Sequence, residues 1–427
     1  MRISSVTMFE QSTASINQQQ SDFLNVSKQI ASGRRVVNPS DDPQAAARAV
    51  RVDQSKAVTQ QFEDSRVSAR NSLSQTESIL NSVSDAVTSA KTLLVQASSD
   101  TLSNVDRESI ASEMRGIYET MIGQANATDG NGRYLFGGYA DNAPPFVKET
   151  NADGDKFVTY QGDNNTREQR IDSSRLMPVT ENGDSIFKSV PTGAGYVAEA
   201  DGDNKGSVTF SGPQVTNVND NDYGENYRVG FSVDTFGNAT YQVERHTGGV
   251  TWSSDDTDGN GLPSGTWTAK NENEGLDLSF GGLSINLEGA PDNGDEILVA
   301  QAGSDQREPN LFRTMEEAIR VLETPADDAA QKADLRNTLN TSMRDLDNAL
   351  DNVLTVRASA GARLNELDVV DAVGGNRMLN YEQTLSDLVD LDYVDAISEY
   401  SLRQVGLQAS QQAFVDVKGM SLFDYLR

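Results

Sequence analysis

The chain contains no cysteine, so disulfides and thiolate metal sites are excluded. A single histidine, His246, removes most zinc chemistry and most general-base catalysis. Cations are scarce as well. Lys and Arg number 35 against 64 Asp and Glu, a formal charge of −29, and such a surface repels phosphate backbones and anionic membranes. No run approaches the roughly eighteen apolar residues that a spanning helix needs. The opening stretch from Met1 to Glu10 has no apolar h-region, so neither a Sec signal nor membrane insertion is expected. No Gly-x-Ser-x-Gly elbow, phosphate loop or histidine-based metal motif occurs, and carboxylate pairs are too plentiful for any to stand out. The expectation is a protein without catalytic residues, cofactor or metal. With 427 residues it is long enough for two or three domains with separate cores.

The chain is organised around Gln29 to Pro43. Gly33 suits the left-handed residue that ends a helix, so a first helix should stop near Ser32. Arg34 to Val37 form a short extended connector, because the ring of Pro39 crowds the backbone of Asn38 and disfavours helix there. Ser40, Asp41 and Asp42 can accept from the free amides of a new helix, and Pro43 needs no donor in its first turn. Adjacent Arg34 and Arg35 in so acidic a chain either clamp carboxylates or stand as a solvated pair.

Phe9, Ile16, Phe23 and Ile30 recur every seven residues among Ser, Thr, Asn and Gln, a seam too slim to hold an isolated helix. From Pro43 a longer pattern follows. Ala69, Leu73, Thr76, Leu80, Val83, Val87, Ala90, Leu94 and Ala97 step by four and three, which predicts a long helix with coiled-coil-like packing and a break near Ser103. The turn-rich run from Thr128 ends this region, and Tyr134-Leu135-Phe136 reads as a short strand. Beyond Pro309, Leu339, Met343, Leu346, Leu350, Val353, Arg357, Ala360, Leu364 and Leu367 repeat the pattern, so the two stripes are expected to pack together. The final segment carries Leu385, Leu388, Val394, Ile397, Leu402, Val405, Ala409, Ala413, Val417 and Met420, ending in Leu422-Phe423-Asp424-Tyr425-Leu426, and is the natural partner of the first seam. Both terminal seams are expected to be mobile in the monomer and ordered by neighbouring subunits.

Between them the composition changes. Residues 130–303 hold 26 of the 34 glycines, both tryptophans and the histidine. Tyr227, Val229, Phe231 and Val233 alternate with polar residues, and Phe236-Gly237-Asn238 can turn the chain into Thr240 to Val243, a hairpin. Leu276 to Phe280, Leu283 to Leu287 and Glu296 to Val299 supply further strands, and an antiparallel sandwich or barrel-like domain fits best. Asp256-Thr257-Asp258-Gly259-Asn260-Gly261 resembles the start of an EF-hand loop, but Trp267 stands where the closing glutamate belongs, so a polar turn is the expectation. A glycan-binding face formed by Trp252 and Trp267 is the alternative to their simple burial.

The fold class is therefore α+β and multidomain. A discontinuous long-helix coiled-coil bundle is built from both termini, with an antiparallel β domain inserted. The expected division is a terminal assembly domain of 1–40 and 380–427, a bundle of 41–138 and 306–379, and an insertion of 139–305. Phe9, Ile16, Phe23, Ile30, Val394, Ile397, Leu402, Val405, Ala409 and Val417 would form the assembly seam. Arg34, Arg35, Asn38, Pro39, Asp41 and Asp42 make the connector, and Leu73, Leu80, Val83, Val87, Leu94, Met343, Leu346, Leu350, Val353 and Leu364 the bundle core.

Val36-Val37-Asn38-Pro39-Ser40-Asp41-Asp42-Pro43 resembles the N-terminal signature of bacterial flagellins and, more closely, of the hook-associated protein 3 family of hook–filament junction proteins. The resemblance continues through Thr128 to Gly138 and returns in Gly361-Ala362-Arg363-Leu364-Asn365 and Asp390 to Arg427. It is weak in the middle, at Gly289-Ala290-Pro291 and Gly294-Asp295. It implies an extracellular structural adaptor of the flagellum, exported through the type III apparatus without a cleaved signal. Implied partners are further copies of the chain, hook-associated protein 1, flagellin and an export chaperone. A flagellin filament subunit is the nearer alternative, and a secreted glycan-binding module or enzyme the more distant one.

Overall fold

The computed structural model describes residues 5–150, 156–247, 251–257, 259, 261–267 and 275–420. Three helices come first, α1 (Ser5–Ser32), α2 (Pro43–Ala97) and α3 (Asn104–Ala125). Two small hairpins and one helical turn follow: β1 (Phe146–Thr150), β2 (Lys156–Tyr160), β3 (Glu168–Asp172), β4 (Arg175–Pro178) and α4 (Gly183–Phe187). Nine strands come next: β5 (Tyr196–Ala200), β6 (Thr209–Val215), β7 (Tyr227–Val233), β8 (Ala239–Thr247), β9 (Thr251–Ser253), β10 (Ser264–Trp267), β11 (Leu276–Phe280), β12 (Leu283–Glu288) and β13 (Glu296–Gln301). Helices α5 (Leu311–Glu323), α6 (Ala329–Val389) and α7 (Tyr393–Met420) complete the chain. Two compact units result, one of Met1–Arg66, Ile171–Ser173 and Asp368–Arg427, the other of Val67–Arg170 and Ser174–Leu367.

In the larger unit the helical core is built from the two four-three stripes. Leu73, Leu80, Val83, Val87 and Leu94 of α2 are at most 1% exposed, and Leu346 and Val353 of α6 share one buried cluster with Leu80, Val83, Val87 and Leu94, with Met343 and Leu350 partly buried against it. Leu364 is half-buried. The one charged member of the second stripe, Arg357, sits 3.8 Å from Glu77 of α2. The break falls at Ser103, whose hydroxyl accepts from the Asp106 amide while the Asp106 carboxylate accepts from the Ser103 amide, a reciprocal cap for α3.

Residues 134–136 do not form a strand. Asp129 accepts from the Asn131 and Arg133 amides to make a tight turn, with Gly132 at φ +80°. Tyr134 then donates to the Asp141 carbonyl and Leu135 to that of Ala127, so two partners divide the segment and no ladder forms. Phe136 instead drops fully into the helical core. There it joins Phe187 at 5.8 Å between ring centroids, and Phe187 packs at 5.2 Å on Phe146 and 5.6 Å on Phe312. The hairpin β1–β2 and helix α4 thus contribute to the helical core rather than to the sheets.

The sheets have a core of their own. A six-stranded antiparallel sheet of order β10-β8-β7-β13-β5, with β9 beside β8, shares its inner face with a three-stranded sheet β11-β12-β6. Tyr227, Val229 and Phe231 alternate inward along β7, and Val233 pairs with Ala239 across the turn at Gly237, the hairpin expected from the alternation. Polar residues of α6 fasten this sandwich to the helices. Asn337 donates to the Val208 carbonyl at 2.7 Å and accepts from the Phe210 amide at 3.2 Å. The Thr341 hydroxyl donates to the Ala198 carbonyl at 2.7 Å, and Arg344 to that of Tyr196 at 2.8 Å. Backbone groups of β5 and β6 left without strand partners on that side are satisfied by a helix face.

Candidate assembly surface

The smaller unit is centred on the connector. Gly33 ends α1 at φ +69°, and a Cβ there would lie 3.0 Å from the Tyr393 hydroxyl. The Arg35 amide donates to the Val389 carbonyl at 2.8 Å, and the Leu391 amide to that of Gly33 at 3.1 Å, so the connector lies antiparallel to the link between α6 and α7. Arg35 also donates from its guanidinium to the Leu388 carbonyl at 2.6 Å and pairs with Asp42 at 3.3 Å. It therefore binds the two ends of the chain to each other, by backbone as well as by charge. Arg34 is exposed, and its guanidinium has no hydrogen bond or ion pair among the described residues.

The aspartates divide their work. Asp41 accepts from the Val37 and Asn38 amides at 3.1 and 2.7 Å and shapes the turn at Pro39. Asp42 accepts from the Ala45 amide at 3.0 Å, at the free end of α2, and that bond leads the effects holding its carboxyl below the ordinary aspartate value. Farther along, the buried Arg66 pairs with Asp371 and donates to the carbonyl of Ile171, itself fully buried. A Cβ on Gly374 would come within 2.7 Å of that guanidinium.

Helices α1 and α7 run antiparallel, with Phe9 5.2 Å from Phe414 and Phe23 4.8 Å from Tyr400 between ring centroids. Arg403 donates to Asp22 at 2.8 Å, and Gly406 lies where any side chain would meet Gln19. Helix pairing is therefore as the seams foretold, but the register on α7 differs. Its face toward α1 carries Ala396, Tyr400, Arg403, Gly406 and Phe414. Val394, Ile397, Leu402 and Val405 are 76, 54, 71 and 63% exposed, and Ala409 is exposed too. On α1, Val26 is buried, Ile16, Phe23 and Ile30 are half-buried, and Phe9 is 47% exposed. The side chains of Val417 and Met420 and all of 421–427 lie outside the described residues.

The correction has a physical cause. Small and aromatic residues let two thin helices approach and stack, while the branched aliphatics of α7 form a second stripe that this chain does not cover. Leu385 and Leu388, expected in the final segment, belong instead to the end of α6. The boundary is marked by Asp390-Leu391-Asp392, where Asp392 caps α7 by accepting from the Val394 amide at 2.9 Å.

The tryptophans of the insertion do not form an open face among the described residues. Trp267 is buried against Phe231, which removes it from any glycan-binding surface, and Trp252 lies under the Arg228 guanidinium at 4.6 Å. In the loop that resembles an EF-hand, the Thr257 amide and hydroxyl are committed to the buried Asp222, while Asp258 and Asn260 lie outside the described residues. No described helix is long and apolar enough to cross a membrane.

Paired terminal helices and the connector that follows the first of them lie in a chain whose residues 3–141 match the model of the bacterial flagellin N-terminal helical region, which places it among flagellin-like proteins. Flagellar hook-associated protein 3 of Escherichia coli K12 is 32% identical over 424 residues, covering 99% of both chains. That of Salmonella typhimurium is 30% identical over 428 residues, with full coverage of each. The chain belongs to the flagellar hook-associated protein 3 family. Its fold is similar to that of Xanthomonas campestris FlgL, with a TM-score of 0.62 and 28% identity over 78% of this chain and 99% of that one. It is similar also to hook associated protein-3 of Legionella pneumophila, with a TM-score of 0.64 and 25% identity over 79 and 98%.

Proposed function

We propose that this chain is the junction subunit that seats the flagellin filament on the hook-associated zone, outside the cell and without a catalytic role. The observation that carries this reading is the stripe of Val394, Ile397, Leu402 and Val405, which α1 leaves open over the N-terminal half of α7. Such a stripe suits a further helix from a neighbouring subunit, and large exposed aliphatics on a very acidic protein are costly unless covered. Two kinds of neighbour are expected beside further copies of the chain: hook-associated protein 1 toward the hook and flagellin toward the filament. An export chaperone would cover the same apolar surface before secretion, and export would need no cleaved signal.

In this reading residues 1–40 and 380–427 serve assembly, 41–138 and 306–379 give stiffness, and 139–305 form the inserted domain, from which Phe146, Val158, Ile186 and Phe187 also fill the helical core. Phe9, Ile16, Phe23, Ile30, Ala409 and Val417 would take part in the intersubunit seam.

Deletion of the gene, followed by electron microscopy and an assay of the medium for flagellin, tests the reading. Bare hooks with flagellin shed into the medium are expected. Complementation with Val394→Glu/Leu402→Glu should reproduce that phenotype, although the isolated variant keeps the wild-type fold because both positions are exposed. Normal filaments in the deletion would defeat the proposal. Bare hooks with no major flagellin in the medium would identify a filament subunit instead.

A further inference from the structure

Arg107 of α3 is 8% exposed, has no ion pair among the described residues and leaves its Nε without a hydrogen-bond partner. Among the described residues its guanidinium makes one hydrogen bond, from Nη1 to the side-chain oxygen of Asn104 at 3.3 Å, and that oxygen also accepts from the Ala326 amide. A buried guanidinium without an anion is expensive, because desolvation is not returned by any counter-charge. Arg107 lines a cavity of about 280 Å³ together with Lys332 and Arg336 of α6, over an apolar floor of Ala97, Leu335 and Leu339. Lys332 is exposed and has no ion pair among the described residues. Among the described residues Arg336 pairs with Asp100 alone, at 3.1 Å, and Asp100, which also lines the cavity, is itself 80% exposed.

Three cations converging on one cavity run against the composition of a chain with a formal charge of −29. We propose that this cavity binds a carboxylate on a short apolar stem, independently of the assembly stripe. The head group takes the donors of Arg107 and the charge of Lys332, displacing Asp100 from Arg336, while the stem lies on Leu335 and Leu339. Arginine suits this task because its planar donors match the two oxygens of a carboxylate. A free dicarboxylic acid and a glutamate side chain of another polypeptide present the same chemistry.

Calorimetric titration of the full chain with sodium glutarate, at ionic strength fixed by sodium chloride, tests the site. Saturable one-site binding is expected. It should weaken at least tenfold in Lys332→Gln/Arg336→Gln, two exposed positions whose replacement leaves the circular dichroism unchanged. The Nε–H resonance of Arg107 should shift along the same isotherm. Blocked glutamate, acetylated and amidated, separates the sources: binding of both probes points to a polypeptide side chain, and binding of glutarate alone to a free acid. Heats that do not saturate, equal affinity in the double variant, or an Arg107 resonance that stays in place would overturn the proposal.

Discussion

Gly33 is where one residue decides most. The left-handed conformation costs an L-residue about 1–2 kcal/mol, and Tyr393 leaves no slack for a Cβ. Gly33→Ala should therefore lower stability by about that amount in urea unfolding, and Gly33→Asn by less, since Asn tolerates this region better. Two aspartates add a pH dependence. The carboxyl of Asp42 is held below its ordinary 3.8 mainly by the Ala45 amide, and that of Asp106 mainly by the Ser103 hydroxyl. A depressed value in the fold means stability that is complete above about 4 and is lost as pH falls through the folded value. Amide protection factors, corrected for the intrinsic pH dependence of exchange, should fall at the starts of α2 and α3 below about pH 4, and Asp106→Asn should remove that dependence from α3 alone. These caps were legible in the sequence because they are local: Ser, Asp and Gly act on amides a few residues away. Arg35 was only half legible. Its charge was plain, but its bond to the Leu388 carbonyl joins residues 353 positions apart.

At the scale of the element, α1 and α7 form a pair with little buried surface. Val26 and Ala396 are the apolar side chains of this pair exposed by less than a tenth, among the described residues. Marginal burial predicts frequent local opening. Amides of Ile16 and Val405 should exchange far faster in dilute monomer than that of Leu80, whose helix is locked by a full core, and equal protection would contradict this account. The pairing itself could be read from two seven-residue seams, whereas its register could not. Apolar residues occupy two stripes of α7, and periodicity does not say which one meets α1. The contact goes to Tyr400, Arg403 and Phe414 because rings can stack and Arg403 can reach Asp22, choices that depend on the partner's side chains.

For the whole molecule, attachment of the sheets to the helices rests on polar groups rather than on the hydrophobic core. Arg307, 3% exposed at its side chain, pairs with Glu199 of β5 at 3.1 Å and with Asp345 of α6 at 2.8 Å. Removing one member of such a network strands the others, at a cost of about 3–5 kcal/mol. Arg307→Ala should show that loss in thermal or urea unfolding, with fluorescence of Trp267 reporting the sheets separately from helical ellipticity. By itself the sequence determined the helices, their caps, the hairpin at Gly237 and the acidic, cysteine-free character, since each depends on neighbours along the chain or on simple periods of two and seven. Tertiary structure alone decided that Phe136 leaves a strand-like run for the core, that α6 presents Asn337 and Thr341 to β5 and β6, and which stripe of α7 stays open. Those outcomes depend on which distant groups compete for the same amide or the same surface, and no local pattern records that competition.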